Sequence, residues 1–567
     1  MAERPDSLLR SAGVISVMTM LSRALGLVRD CVCAAFFGAG TVWDAFSFAF
    51  RIPNMFRMLF GEGALTAAFV PAFTESLELR GREEAWRLAG RVAATLAVVL
   101  VGAILVAEAV VLGLMHGLAL SDRWRLALGL TAFLLPHMAF VCLTALAGAA
   151  LNSLRHFAAP AFAPALLNIC WIVGVAAVAP AVSPDPRVRI FIVAGAILLA
   201  GVLELALQVV VLKTRGFKWR PAIAFRHPDV RRLAAGMGPV ALGMAALQVN
   251  LMLDGVIAIS LAAPPDRQAF GFLGATIAYP MAVGANSVLY YANRLMQLPL
   301  GVFGIAIATA AFPALSRHAA RQDWRGFSDA FRRGMGAVLF IAVPAGVGLI
   351  LLRRPVIVAV LERGAFTAET TLRTARAVLA YSTAIWAYCA VHMLTRAFYS
   401  IRQPGTPAKV AASMVGLNLA LNLTLVWPLG EAGLAAATAL CATVQMAVLY
   451  WMLARRVPLV GTGAVWITAL KTVIATACMS VVCIATLRAL PEAPTAGGLA
   501  VKLLRVCVPA ASGGAAYLTA AALLRMEELE ALVRRLRLRL TRVSQEEKQP
   551  AAGPDSLAED TQERQAG

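Results

Sequence analysis

The chain has 567 residues, 60% hydrophobic and 14% charged, with a mean hydropathy of +0.75. A soluble chain of this size cannot bury so much apolar surface, so the class is a polytopic membrane protein, and the long, unalternating apolar runs exclude an outer-membrane barrel. The formal net charge of +20 would suggest nucleic acid, but the basic residues sit mostly in short loops between apolar runs, where they set orientation, and no nucleic-acid partner is expected.

In chain order, fourteen spans are predicted, near 11–37, 43–73, 88–114, 126–151, 160–181, 190–212, 233–262, 284–314, 333–352, 374–400, 408–428, 432–453, 463–487 and 499–524. The stretch 268–284, with Pro280 and several glycines, reads as a loop or interfacial segment. After Met526 a basic amphipathic helix (527–543) is expected to lie on the cytoplasmic leaflet, followed by a polar tail from Ser544 expected to be disordered. The nine cysteines fall in apolar segments without CxxC spacing and read as small lipid-buried residues, not ligands or disulfides. The apolar stretch Ala12 to Leu21 runs into Arg23 without a plausible cleavage site, so it does not read as a removed signal.

Loops on the side of both termini hold 31 cations, against about 12 on the other, which predicts cytoplasmic termini. The two halves also resemble each other. Phe48-Ala-Phe-Arg51 matches Tyr291-Ala-Asn-Arg294, and Phe69-Val-Pro-Ala-Phe73 matches Ala311-Phe-Pro-Ala-Leu315. Asn152-Ser-Leu-Arg155 with Pro160 matches Tyr399-Ser-Ile-Arg402 with Pro407, Gln208 to Leu212 echoes Gln445 to Leu449, and Asp30 falls opposite Asp254. The offset crosses six spans, and an even number makes the copies parallel repeats. The expected fold is therefore all-α: two pseudo-symmetric six-helix lobes (1–225 and 226–457), two further spans (458–525) and a cytoplasmic tail (526–567).

Eight cations remain inside spans: Arg23, Arg29, Arg51, Arg57, Arg294, Arg396, Lys471 and Arg505. A charge at mid-bilayer costs roughly 2.5–3.5 kcal/mol, so such residues face a cavity or a partner. Arg23, Arg29, Asp30, Asp44, Arg51, Arg57 and Glu62 crowd the first two spans, and Arg294 joins from the eighth. Arg23 and Asp30 are seven residues apart, as are Asp44 and Arg51; about 10 Å of helical rise is too long for direct pairing. A cleft with surplus arginine favours a phosphate-bearing anion. Gly-Lys-Ser/Thr and HExxH patterns are absent, and the six histidines lack ligand spacing, so neither an ATPase nor a metalloenzyme is indicated.

Ser-Arg-Ala-Leu-Gly-Leu-Val-Arg-Asp (22–30), Phe-Gly-Ala-Gly (37–40), Asp44-Ala-Phe, Arg-Ile-Pro-Asn (51–54), Arg57 and Gly-Glu-Gly-Ala (61–64) resemble the opening of the MurJ/MviN family. Tyr-Tyr-Ala-Asn-Arg-Leu (290–295) and Glu-Arg-Gly-Ala-Phe (362–366) resemble its later motifs. The resemblance implies a member of the multidrug/oligosaccharidyl-lipid/polysaccharide exporter superfamily. Such a protein flips lipid II, the undecaprenyl-pyrophosphate-linked peptidoglycan precursor, across the inner membrane by alternating access, without enzymatic chemistry. By matching position, Arg23, Arg29 and Arg294 would hold the pyrophosphate; Asp30, Asp44, Arg57 and Glu62 would serve binding or the gate; the last two spans would form a groove for the polyprenyl tail. Asp254, Asn418, Asn422 and Thr438 fall where family members carry a cation site, although Asn422 stands where an acid is expected for sodium; no other cofactor is expected, and Na+ or H+ remain open as coupling ions. The expected partners are lipid II, membrane lipids and possible peptidoglycan-synthesis proteins, with the protein itself a monomer. The alternatives are a cation-coupled multidrug exporter or an exporter of another lipid-linked oligosaccharide on the same architecture.

Overall fold

The computed structural model describes residues 5–58, 65–218, 220, 222–264, 267–272, 275–457, 464–491, 498–531, 533 and 534. Its helices are α1 (Pro5–Phe37), α2 (Thr41–Phe56), α3 (Leu65–Leu79), α4 (Arg82–Gly117), α5 (Asp122–Leu134), α6 (His137–Ser153), α7 (Ala158–Val173), α8 (Ala179–Val182), α9 (Pro186–Thr214) and α10 (Pro228–Ser260). They continue as α11 (Ala285–Pro299), α12 (Ile305–Ala320), α13 (Trp324–Val360), α14 (Ala368–Ser382), α15 (Ile385–Ser400), α16 (Gly405–Leu429), α17 (Glu431–Arg456), α18 (Ala464–Ala489) and α19 (Leu499–Leu523).

Helix lies on every predicted span. Among the described residues nine helical stretches are long and apolar enough to cross a membrane, and α14 with α15, bent by 41°, makes a tenth if the pair is one span. The other predicted spans carry the intramembrane charge or are broken. The second is split between α2 and α3, and the eighth passes through a π-helical stretch at Leu300–Gly304, just after Pro299. Proline removes one helical hydrogen bond and crowds the preceding turn, so the ladder shifts register there.

The segment expected to be a loop contains a hairpin, β1 (Ala269–Phe272) and β2 (Ala275–Ala278), antiparallel with Ala269 opposite Ala278. It is the one departure from helix among the described regular elements. Phe270 and Tyr279 pack ring to ring across it at 5.0 Å. Alternation over four residues was too short to distinguish from a loop. Of the basic helix expected at 527–543, residues 527–531, 533 and 534 are helical; the remainder and the polar tail lie outside the described residues. The cysteines are all free; Cys478 and Cys507 are exposed on the outer faces of candidate membrane spans.

Helices α1 to α9 pack chiefly on one another, as do α10 to α17, while α18 and α19 pack together and against α13. Where the sequence repeat places Arg155 and Arg402, the backbone repeats too. Both arginines are left-handed, with φ of 59° and 58°. His156 N–H donates to Leu151 O and Gln403 N–H to Phe398 O, each at 2.9 Å. These are matching helix ends of the kind in which a left-handed residue lets the following N–H reach back to an orphan carbonyl. The main core is aromatic and lies where α2 meets α11: Trp43 stacks on Tyr291 at 6.1 Å and on Phe46 at 5.0 Å.

Candidate functional site

The arginines are positioned by α1, α2 and α11. Arg29 is 7% exposed, and its fork wraps onto the carboxylate of its own neighbour: Nη2 and Nε donate to Asp30 Oδ1 at 2.7 and 3.0 Å. Its remaining Nη1 donates to Asn168 Oδ1 on α7 at 3.0 Å, and the guanidinium lies 4.5 Å from the Trp171 ring centroid. From α11, Arg294 Nε stands 3.7 Å from Asp30 Oδ2, and Tyr290 OH donates to Asp30 Oδ1 at 3.2 Å. Asp30 is thus flanked by two arginines, one from each half of the chain. Arg29 is held and dried, while the Arg294 side chain is 38% exposed and free to meet an anion. Arg23 lies beside the π-helical stretch, its guanidinium nitrogens 3.7–3.8 Å from where a Cβ on Gly301 would be. The direct pair in this cluster is one the i,i+7 spacing did not address, Arg29 with its own neighbour Asp30. Adjacent residues point about 100° apart on a helix, but the arginine stem is long enough to turn back.

Asp44 does not face this cluster. It is buried, and its carboxylate accepts from Gly284 N–H (2.9 Å), Ser287 N–H (2.7 Å) and Ser287 Oγ (2.6 Å), the open N-terminus of α11. Those N–H groups have no helical partner of their own, and the positive end of the helix favours a carboxylate. Asn286 completes the contact by donating to Asp44 O at 3.0 Å and Ser47 Oγ at 2.8 Å.

Around this cap the connections α1–α2, α10–α11 and α13–α14 close on one another. Ala365 N–H donates to Ala35 O at 2.8 Å. Gly284 (φ 90°) and Gly364 (φ 56°) press against Ala39 O and Ala35 O, leaving no room for a Cβ. Arg373 on α14 braces the approach: Nη1 donates to Val283 O at 2.8 Å, and Nε pairs with Glu431 Oε1 of α17 at 2.7 Å. A 640 Å³ cavity lies between this end and the base of the hairpin, lined among others by Phe37, Tyr279, Ala365 and Arg373. At the other end, α3 meets α10 through Arg80 and Asp229 at 3.2 Å, half exposed on the arginine side.

The second predicted group comes together as expected. Asn422 Nδ2 donates to Asp254 Oδ1 at 2.6 Å and to Asn418 Oδ1 at 2.9 Å, and Thr438 Oγ1 stands 3.4 Å from Asp254 Oδ2. As arranged, the Asn422 amide occupies the space between the acceptors, while its own Oδ1 is buried without a partner. Turning that amide would give a small cation four oxygens: Asp254, Asn418, Asn422 and Thr438. Among the described residues no cluster of three or more acidic, histidine or cysteine ligands occurs.

Arg57 follows the last residue of α2, with Nε donating to Asn54 Oδ1 at 3.0 Å. Glu62 lies outside the described residues. Sequence reasoning did not assign the binding partners Asn168, Trp171 and Tyr290, nor Arg51, whose Nη1 donates to Leu251 O and Nη2 to Asn286 Oδ1 at 3.2 Å. Arg51 was visible as an intramembrane charge; the others carry no local signal.

The model of the lipid II flippase MurJ family matches residues 33–495. Among curated relatives, the probable lipid II flippase MurJ of Vibrio cholerae serotype O1 is 33% identical over 455 residues, covering 78% of this chain and 82% of the relative. The lipid II flippase MurJ of Burkholderia cenocepacia is 30% identical over 459 residues, covering 79% of this chain and 84% of the relative. Among solved structures, a lipid II flippase MurJ in an inward closed conformation superposes with a TM-score of 0.69 over 90% of this chain and 98% of that one, at 22% identity. An inward-facing multidrug resistance transporter of the MATE family and MOP superfamily gives 0.62 over 79% and 98%, at 14% identity. These two similarities establish the fold.

Proposed function

The chain belongs to the lipid II flippase MurJ family, and we propose from that premise how its charges move the substrate. It is a lipid II flippase, a transporter embedded in the inner membrane by multiple spans. The reading that follows is of two parallel lobes, 1–225 and 226–457, within fourteen spans, both termini cytoplasmic and the protein monomeric. The repeated helix ends at Arg155 and Arg402 support the repeat, and the cation asymmetry supports the orientation.

On this orientation the Asp44 cap closes the periplasmic end and the Arg80–Asp229 pair the cytoplasmic end. A half-exposed ion pair is worth at most about 1 kcal/mol, whereas each buried hydrogen bond to a carboxylate is worth about 1.5–3 kcal/mol. The cytoplasmic end therefore opens first and admits the head group while the polyprenyl tail stays in lipid along α18 and α19. The pyrophosphate competes with Asp30 for Arg294, assisted by Arg23 and by Arg29, whose site Asn168 and Trp171 keep in place. Neutralising that charge lets the lobes rock, the Asp44 cap breaks and the product leaves. Asp254, Asn418, Asn422 and Thr438 would hold a coupling cation, Na+ or H+, which would supply charge to that interface.

The observation that carries this reading is Asp30 flanked by Arg29 and Arg294 from opposite halves of the chain. Arg29→Ala and Arg294→Ala are each expected to abolish complementation of flippase loss at near-normal membrane levels, with lipid II retained in the cytoplasmic leaflet by an accessibility assay. Full complementation by both removes the phosphate clamp. Binding of cationic drugs without lipid II would favour the multidrug exporter instead.

A further inference from the structure

Apart from the substrate arginines, the first half of the chain buries a second polar group along the seam between α6 and α9. Gly201, Glu204 and Gln208 are spaced by three and four residues and share one face of α9. Glu204 is 6% exposed, and His137 and Gln208 are each 2% exposed. The His137 ring lies against Gly201, with Nδ1 2.7 Å from where a Cβ would be, and Gln208 Oε1 is 3.2 Å from the same position on Gly148 of α6. His137 Nδ1 and Gln208 Oε1 are both buried without a hydrogen-bond partner. Arg57, at the end of α2, is within electrostatic reach of both Glu204 and His137, and the Cys170 thiol of α7 faces Glu204. Among the described residues these are the titratable and charged groups that meet Glu204.

A carboxylate in such a place must be matched by a cation or take up a proton, because an unmatched buried charge costs several kcal/mol. The one cation that faces it among the described residues is Arg57. A cationic cleft that receives a pyrophosphate draws on the same guanidinium. We propose that Glu204, with His137 and Arg57, forms a proton-binding site in the α6–α9 seam, and that Arg57 is shared between the Glu204 carboxylate and the phosphate of the substrate. This rests on the reading of Arg57 as part of the cationic cleft. With the cleft empty, Arg57 neutralises ionised Glu204. When the phosphate takes Arg57, Glu204 binds one proton from water. When substrate departs, Glu204 releases that proton and regains Arg57. One proton is bound with each substrate and lost with it.

The test uses the full-length protein in detergent, titrated with lipid II in weakly buffered solution. Wild type is expected to take up about one proton per lipid II bound, and its affinity to fall by up to tenfold per pH unit over the range in which the carboxyl is ionised in the empty protein and protonated in the loaded one. Glu204→Gln, which keeps the shape and removes the titration, is expected to bind lipid II without proton uptake and with an affinity flat across that range. An infrared difference spectrum of wild type on adding lipid II should gain a protonated-carboxyl band that Glu204→Gln lacks, and this reads the site in wild type even where the variant folds poorly. Unchanged proton uptake in Glu204→Gln, or no carboxyl band in wild type, overturns the proposal. Wild-type binding without any proton uptake overturns the linkage alone, whereas a wild type that binds no lipid II overturns the flippase reading beneath it.

Discussion

At the scale of single residues, the charges divide by how completely their partners satisfy them. Arg29 spends its donors on Asp30 and Asn168, so it organises the site as much as it binds. Arg29→Lys keeps the charge but cannot span both partners, and we expect lipid II affinity to fall by about tenfold or more, measured by binding to purified protein. Asp44 works through shape as well as charge. Its two oxygens accept three hydrogen bonds from Gly284 and Ser287, and Asp44→Asn turns one acceptor into an N–H facing another donor. The loss of about 1.5–3 kcal/mol shifts the closed-to-open ratio by about 10- to 150-fold. A cysteine at the buried position Ala285, in a background without native cysteines, should then react faster with an impermeant thiol reagent added outside. Unchanged reactivity would remove Asp44 from the gate.

At the scale of elements, breaks in the helices place the site. Pro299 and the π-helical turn that follows it interrupt the eighth span at the level of Arg23, and the 41° bend between α14 and α15 gives the same half of the chain a second joint. The hairpin and its cavity sit on the gate, and Arg373 with Glu431 ties the segment between β2 and α11 to α14 and α17. This ion pair is 15% and 12% exposed, so removing one partner leaves an uncompensated charge at a cost of about 3–5 kcal/mol. Arg373→Met is expected to raise the outside reactivity of the same cysteine at 285, and Arg373→Lys to restore much of the closure. Equal reactivity in Arg373→Met and wild type would show that the gate closes without this brace.

At the scale of the whole molecule, α18 and α19 are joined to α13 by Tyr517, whose OH donates to Phe340 O at 2.6 Å, and the start of the tail is held by Glu527 on Arg332 and Glu528 on Thr468. Deleting 544–567 should leave complementation intact, and loss of function on that truncation would assign the tail a role in transport. Composition and the period of the apolar runs sufficed for class and for the helical stretches, because burial in lipid acts on each segment locally. Charge cost in the bilayer, also local, marked Arg23, Arg29, Asp30, Arg51 and Arg294 before any contact was known. Tertiary packing alone decided what those charges touch. Asp44 meets the start of α11 240 residues away, and Asn168 and Tyr290 close around Arg29 and Asp30 across 139 and 260 residues. His137 lies against Gly201 only because α6 and α9 share a seam. Hydrogen bonds and ion pairs act over a few ångströms in space, and separation along the chain carries no trace of that distance until the helices pack.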